Sequence, residues 1–404
     1  MTGATIKRDL RTGRSLWGDS PGLGVPTRSL TSAISVDVAI IGAGISGAFV
    51  ANELSKDHVV AVLDRRRPLT GSTLASTALL QWEIDLPLTA LAEKIGAEKA
   101  RRAYLRSRSA VDALKGIVKD ERINCGLKDK SSLYLAGDDY GHRALEAEAQ
   151  ARAEIGLDSR YLGPAALRER FGIERTGAIV SSGSASADPA RLAAALLRRS
   201  QARGAKVWSS VEVLQALSDP DGVTLVTDTG HAVRAKAVVF CCGYEFPKGV
   251  PTPGAEVIST WAMASKPRQL CPAWLREMLV WEASDPYLYF RMGGDGRLIV
   301  GGEDEVAPLA HDDKAKLKRK CETLVAKLKA LLPDVEFEVD YSWAGAFGTS
   351  ATGLPSIGPV PGMDHTWAVM GFGGNGITYS VIASQIVAAQ VRGGEDPDAD
   401  LYRA

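Results

Sequence analysis

One stretch limits what this chain can fold into more than any other. VDVAII (36–41) is an apolar, β-branched run of strand length, the pattern of a strand buried on both faces. Gly42-x-Gly44-x-x-Gly47 follows at once, then AFVANELSK with Ala48, Ala51 and Leu54 at helical spacing, then a second apolar run, VVAVLD (59–64). Strand, glycine turn, helix and strand within about 30 residues form a βαβ unit. The first glycine permits the tight turn, the second lets backbone approach a pyrophosphate, and the third lets helix and strand pack closely. The helix N-terminus offers free N–H groups and the positive end of its dipole to phosphates. Asp64 lies 22 residues after Gly42, at the end of the second strand, where a carboxylate can accept from both ribose hydroxyls. The whole set predicts dinucleotide binding, whereas the glycines alone would make only a turn between two core strands. Arg65, Arg66 and Arg67 follow the acid. Asp64 would repel a 2′-phosphate, so the pattern favours a plain ADP moiety, as in FAD or NAD.

Gly371-x-Gly373-x-x-Gly376 repeats the glycine spacing after the apolar run WAVM and before a helical segment. Only 28 residues remain beyond Gly376, too few for a second βαβ unit with its acid. The expectation here is a helix N-terminus facing an anion or an electron-rich ring.

At 404 residues the chain is long enough for two domains or more. Lys plus Arg number 48 and Asp plus Glu 48, so no net field draws the protein onto nucleic acid or anionic lipid. Five cysteines (Cys125, Cys241, Cys242, Cys271 and Cys321) make neither a disulfide framework nor a C-x-x-C metal pair. The longest nearly apolar run, Val38 to Ala51, holds three glycines and is shorter than the ~20 residues a membrane span needs. No secretory leader is legible at the N-terminus. The expectation is a soluble, cytoplasmic protein without a metal.

Residues 1–35, rich in Gly, Pro, Ser and Thr, read as an extended arm on the surface. Helices are expected near 88–118, 140–155, 163–172, 188–205 and 312–331 and at the C-terminus. Strands are expected at 131–137, between 206 and 243, and in a hairpin across MGGDG (286–302). Nucleotide-type features lie at the beginning, middle and end, with the hairpin and long helices between them. That order predicts an α/β protein in which two domains interleave.

These residues resemble the D-amino acid oxidase superfamily of FAD-dependent oxidoreductases, which includes glycine and sarcosine oxidases. The closest-looking branch is the gamma-glutamylputrescine oxidoreductase-like group. Four landmarks carry the resemblance: VDVAIIGAGISGAFVANELSK…VVAVLDRR (36–66), GSTLASTALLQ (71–81), DGRLIVGGEDE (295–305) and GLPSIGPVPG…VMGFGGNGITYS (353–380). It implies a Rossmann-like FAD-binding domain from 36–80, 181–255 and 343–404. Interleaved with it would be an α+β substrate domain on a mostly antiparallel sheet, from 81–180 and 256–342. FAD contacts would come from Gly42, Gly44, Ile45, Ser46, Gly47, Asp64, Arg65 and Arg66, and from Ser72, Thr73, Ser76, Thr77, Ala78 and Leu80 of the flavin loop. Val211 near the adenine, Cys242, Gly243, Gly345 and Gly353 would add to them. Gly373, Gly374, Asn375, Gly376, Ile377 and Thr378 would approach the flavin ring.

Departures from the family bear on the substrate. Amino-acid oxidases of this type clamp the substrate carboxylate with an arginine in a W-x-G-x-R-P stretch; here WAGAFGTS has Phe347 near that place. Glycine oxidase-like enzymes carry an arginine just before N-G-I; here Gly374 stands there. An arginine fork is the natural bidentate partner of a carboxylate, so its absence argues against a simple α-amino acid held in that way. Arg291 could substitute, or face solvent from its strand. Trp82, Glu83 and Tyr289 are further pocket candidates, Glu83 as a partner for a cationic amine. Sarcosine oxidases attach FAD through a cysteine near the C-terminal signature; none occurs from 322 onward, so FAD is expected to be noncovalent. The resemblance implies oxidation of a C–N bond of an amine or amino-acid derivative by hydride transfer to flavin N5, giving an imine that hydrolyses. The oxygen-activating lysine of sarcosine oxidases would fall near Ile299, leaving O2 or another carrier as acceptor. The alternatives are an NAD(P)-dependent dehydrogenase and a noncatalytic flavin-binding protein.

Overall fold

The computed structural model describes residues 3–250 and 255–403. Residues 251–254, which the resemblance assigns to the cofactor domain, lie outside the described residues. Ile34–Ile41 is the centre of an eight-stranded sheet. It pairs in parallel with Val60–Asp64 on one side and Ala232–Phe240 on the other. Lys206–Ser209 extends the sheet in parallel beyond the first, and Thr366–Met370 beyond the second. Parallel strands need cover on both faces, and side chains from Val38 to Ile40 and from Val60 to Leu63 are buried accordingly. Part of that cover comes from Ile45–Leu54 and Gly376–Val391, both buried around most of their circumference. They touch through Ser46 Oγ and Ser380 Oγ at 2.9 Å. The Asp-Pro signal at 188–189 opens the helix Pro189–Ala202, with Asp188 accepting from the Arg191 N–H.

The second sheet has ten strands, and the expected mostly antiparallel character is observed. Val339–Ser350, Ala255–Ser265, Leu298–Glu305, Leu288–Met292 and Met278–Glu282 follow one another antiparallel. Met278–Glu282 then pairs in parallel with Lys128–Leu135, which runs antiparallel to Ala178–Ser186. The helix Lys314–Leu331 packs Leu317, Cys321, Leu324 and Leu328 onto this sheet. The fold is thus α/β, with a parallel sheet interleaved along the chain with an antiparallel one.

All four boundaries between the two expected domains differ from the observed pairing. Residues 79–80, 181–186, 255 and 343–350, grouped above with the cofactor domain, are strand residues of the ten-stranded sheet. The N-terminal arm is also more than a surface strap. Arg11–Arg14 pairs antiparallel with Ser342–Gly345, and Leu10, Trp17 and Leu30 are buried. RTGR joins the sheet edge through backbone hydrogen bonds, so no apolar alternation in its sequence announces it.

Candidate functional site

The parallel strands all end at one edge of their sheet, and a cavity of about 510 Å³ opens there and runs up to the antiparallel sheet. Ligands in open α/β sheets bind outside the carboxyl ends of the strands, where the connections diverge to either side. Gly42 sits at that divergence with φ +113°, and a Cβ on it would run into the Cys241 carbonyl. A Cβ on Gly47 would run into the Gly42 carbonyl, so this glycine lets the helix settle onto its own turn. Gly44 precedes a helix whose first residue, Ile45, donates its N–H to Thr73 Oγ1 at 3.0 Å, with no side-chain cap from Gly44 itself.

Asp64 Oδ2 accepts from the Ala43 N–H at 2.8 Å and Oδ1 from the Arg66 N–H at 2.7 Å. Burial pushes its carboxyl up in spite of these donors. Each oxygen keeps acceptor capacity for a ligand hydroxyl. Arg65 and Arg66 do not reach freely into the cleft. Arg66 makes a forked pair with Glu245 at 2.7 and 2.8 Å, and Arg65 bonds the same carboxylate. Burial works to raise Glu245, but hydrogen bonds from Arg66 and the Arg8 N–H prevail and hold it below the ordinary range.

From Leu79 to Asp85 the chain alternates. Leu79, Gln81, Glu83 and Asp85 line the cavity, while Leu80, Trp82 and Ile84 are fully buried behind it. The C-terminal glycine segment is tied to this stretch: Asn375 Nδ2 donates to the Glu83 carbonyl, Thr378 Oγ1 to the Gln81 carbonyl at 2.8 Å, and the Gly374 N–H to Asp85 Oδ2 at 2.8 Å. The helix Gly376–Val391 therefore begins at the cavity wall without a side-chain cap. Five polar atoms of the described wall are buried without a hydrogen-bond partner, among them Ser72 Oγ and Gln81 Nε2. They are the kind of group a polar cofactor satisfies.

Above the glycine segment the lining comes from the antiparallel sheet and the loops beside it. Tyr244, Tyr287, Tyr289 and Phe347 supply aromatic surface, with Tyr287 and Tyr289 ring centres 5.7 Å apart. Asp304 accepts from Tyr287 Oη at 2.8 Å through Oδ2, while its Oδ1 is buried without a partner. Burial pushes Asp304 up to about 6; the Thr260 and Tyr287 hydroxyls pull it back and the Asp85 charge adds to the rise. Asp85 is open to the cavity, with its Oδ2 on the Gly374 N–H.

Most residues expected at the site line this cavity: Gly42, Gly44, Ile45, Ser46, Asp64, Arg65, Arg66, Ser72, Thr73, Ser76, Thr77, Ala78, Val211, Cys242, Gly243 and Gly373 to Ile377. Glu83, Tyr289 and Phe347 line it as well. The others stand behind the wall. Gly47 and Leu80 pack in the core, Gly345 lies under Ala75 and Leu10, and Gly353 accepts from Tyr379 Oη at 2.9 Å. Thr378 spends its hydroxyl on Gln81. Trp82 points away, its Nε1 donating to the Ser182 carbonyl at 2.8 Å. Arg291 neither faces solvent nor reaches the cavity. It is buried, donates to the carbonyls of Thr77 at 2.8 Å and Ala187 at 3.0 Å, and lies over the Trp17 ring at 5.5 Å. Burial lowers it to about 10. Glu83 gives its two carboxylate oxygens to Ser132 and Ser184. Sequence reasoning missed Asp85, Tyr244, Glu245, Tyr287 and Asp304.

A cleft of this form, at the carboxyl ends of a parallel sheet and roofed by an antiparallel one, defines a dinucleotide-dependent protein of mixed α/β build. The family model described as FAD dependent oxidoreductase (DAO) matches residues 37–390, and the chain belongs to that family. It is 23% identical over 374 residues to a putative Rieske 2Fe-2S iron-sulfur protein, YhfW, of Bacillus subtilis (strain 168), covering 91% of this chain and 70% of that protein. It is 27% identical over 367 residues to glycine oxidase of Geobacillus kaustophilus (strain HTA426), covering 87% of this chain and 92% of that protein. The crystal structure of glycine oxidase from Geobacillus kaustophilus superposes with a TM-score of 0.77 at 24% identity, over 90% of this chain and 96% of that one.

Proposed function

We propose that the protein oxidises a C–N bond of an amine or amino-acid derivative, using FAD held without a covalent bond and passing electrons to O2 or another carrier. The observation that carries this is the continuity of the cavity: one wall runs from Asp64 and Val211, past Ser72 and Gly243, to the start of the helix at Gly376, and on to an aromatic chamber. Bound FAD would supply a hydride acceptor for the substrate carbon next to nitrogen, and water would hydrolyse the C=N bond left behind. Asp64 would hold the ribose hydroxyls and Ser46 and Ser72 the phosphates. The free N–H groups opening Gly376–Val391 would favour negative charge on the reduced ring. Glu245 engages both Arg65 and Arg66, so neither guanidinium reaches freely into the cleft, which supports a plain ADP moiety over one with a 2′-phosphate. Aromatic residues in the chamber would exclude water from the reacting carbon. Glycine oxidase among the relatives supports a small substrate bearing nitrogen. Among the described residues no helix is long and apolar enough to cross a membrane, and all five cysteines are free, which supports a cytoplasmic setting.

The test is the visible spectrum of the purified protein followed by anaerobic addition of amines and amino acids. Flavin bands that bleach with at least one of them are the expected result. A colourless protein that takes up no added FAD, or a flavin no such compound reduces, would refute the proposal.

A further inference from the structure

The cavity lining divides by charge. Among the described residues its only cations are Arg65 and Arg66, at the Asp64 end, and both are engaged by Glu245. Among the described residues the chamber beyond Gly373 has no lysine, arginine or histidine in its wall. It contains carboxylates instead. Glu282 and Glu305 have ion-pair partners, Arg175 at 3.6 Å and Lys316 at 2.7 Å. Glu83, Asp85 and Asp304 line the chamber with no cation of the described residues within 4.0 Å, Glu83 held by the Ser132 and Ser184 hydroxyls and Asp85 exposed, and Asp139 and Asp285 on exposed bends at the rim likewise have none. Asp304 Oδ1 is buried and lacks any hydrogen-bond partner. An anionic group entering this chamber meets uncompensated like charge and no donor fork, which is strongly unfavourable away from water. An ammonium meets the opposite: carboxylates to pair with, a buried acceptor still open, and the rings of Tyr244, Tyr287, Tyr289 and Phe347 for cation–π contact. Five carboxylates without an ion-pair partner between the chamber and the rim suit a chain with more than one positive charge.

We propose that the substrate is an aliphatic diamine or longer polyamine without a carboxylate, its non-reacting ammonium held by Asp304 and Tyr287, with Asp85 as the second anionic contact. This rests on the amine-oxidation reading above and names its substrate class. The acids at the rim would draw such a cation in, so capture slows as salt rises.

The test uses the FAD-loaded protein under anaerobic conditions, with putrescine, spermidine, butylamine, glycine and sarcosine as probes. Flavin bleaching reports reaction, and calorimetric titration reports binding independently of turnover. Putrescine or spermidine is expected to bind and bleach the flavin, and glycine and sarcosine are not. In Asp304→Asn the dissociation constant for the better polyamine rises by about 30-fold or more, while flavin content and its spectrum stay as in the parent. Asp304→Glu, which keeps the charge, recovers part of the affinity. Bleaching by glycine or sarcosine but by neither polyamine overturns the inference and leaves amine oxidation standing. So does polyamine binding that Asp304→Asn does not change. A flavin that none of the five probes bleaches, with no polyamine binding by calorimetry, overturns both.

Discussion

Asp304 is where a single residue sets a measurable pH dependence. Burial lifts its carboxyl to about 6, against an ordinary 3.8. Facing it are Asp85, Tyr287, Tyr289 and Tyr244, with Lys320 on the adjoining helix as the nearby cation. Above that value the group is charged, so the affinity for a cationic amine is expected to be full near neutrality and to fall as pH drops through about 6; titrations across that range check it. The stability effect has the opposite sign. A carboxyl whose folded pKa is raised burdens the folded state while ionised, and the burden is relieved as pH falls toward the unfolded value. Asp304→Asn is therefore expected to stabilise the protein by about 3 kcal/mol at about pH 7.5 and by about 1 kcal/mol at about pH 4.5, read from denaturant unfolding at each pH. Nothing local in DGRLIVGGEDE reveals this role. Strand alternation would have placed Asp304, but the register with Ala255–Ser265 shifts between Ser259 and Trp261, and Gly302 and Glu303 both have positive φ. The bulge breaks the period of two that a sequence reading depends on.

Among elements, those with local signals were legible and those joined by distant backbone were not. The βαβ unit, the helix opened by Asp188 and the helix opened at Gly376 carry their starts and periodicities in consecutive residues. The edge strand Arg11–Arg14 and the parallel pairing of Met278–Glu282 with Lys128–Leu135 depend on partners far along the chain. Arg291 shows the cost of reading a strand without its neighbours: it became a brace between the arm, the flavin loop and the helix Pro189–Ala202 because Trp17, Thr77 and Ala187 converge on it. The arm is thereby coupled to the cofactor cleft. Trp17 is buried, and its Nε1 donates to the Ser76 carbonyl at 2.5 Å. Trp17→Ala is expected to cost about 3–5 kcal/mol of stability and to speed FAD loss on gel filtration, since Ser76 and Thr77 lie in the cleft wall. The turn itself is less forgiving. Gly42→Ala combines a positive φ with a collision at the Cys241 carbonyl, so the variant is expected to purify without flavin even where it folds.

At the scale of the whole molecule, the chain leaves and re-enters each sheet several times, and the cleft is built from segments at both ends and the middle of the sequence. On the noncovalent binding proposed above, a cofactor in such a cleft would be held by shape, hydrogen bonds and helix dipoles, all of which vanish on unfolding. A tether through sulfur would need a reactive cysteine in the wall, and the described wall offers only Cys241 and Cys242. Both thiols are pushed up by burial, and Cys242 Sγ donates to the Ile41 carbonyl at 3.3 Å, beside the glycine turn. A thiol kept protonated is a poor nucleophile, and this pair stands where the nucleotide would bind rather than beside the helix start at Gly376. Acid precipitation of the yellow protein is therefore expected to leave the flavin in the supernatant with the absorbance of free FAD. Flavin that remains with the pellet would mean a bond to the chain, and peptide mapping of Cys241 and Cys242 would then show whether a thiol these surroundings hold inert had reacted after all.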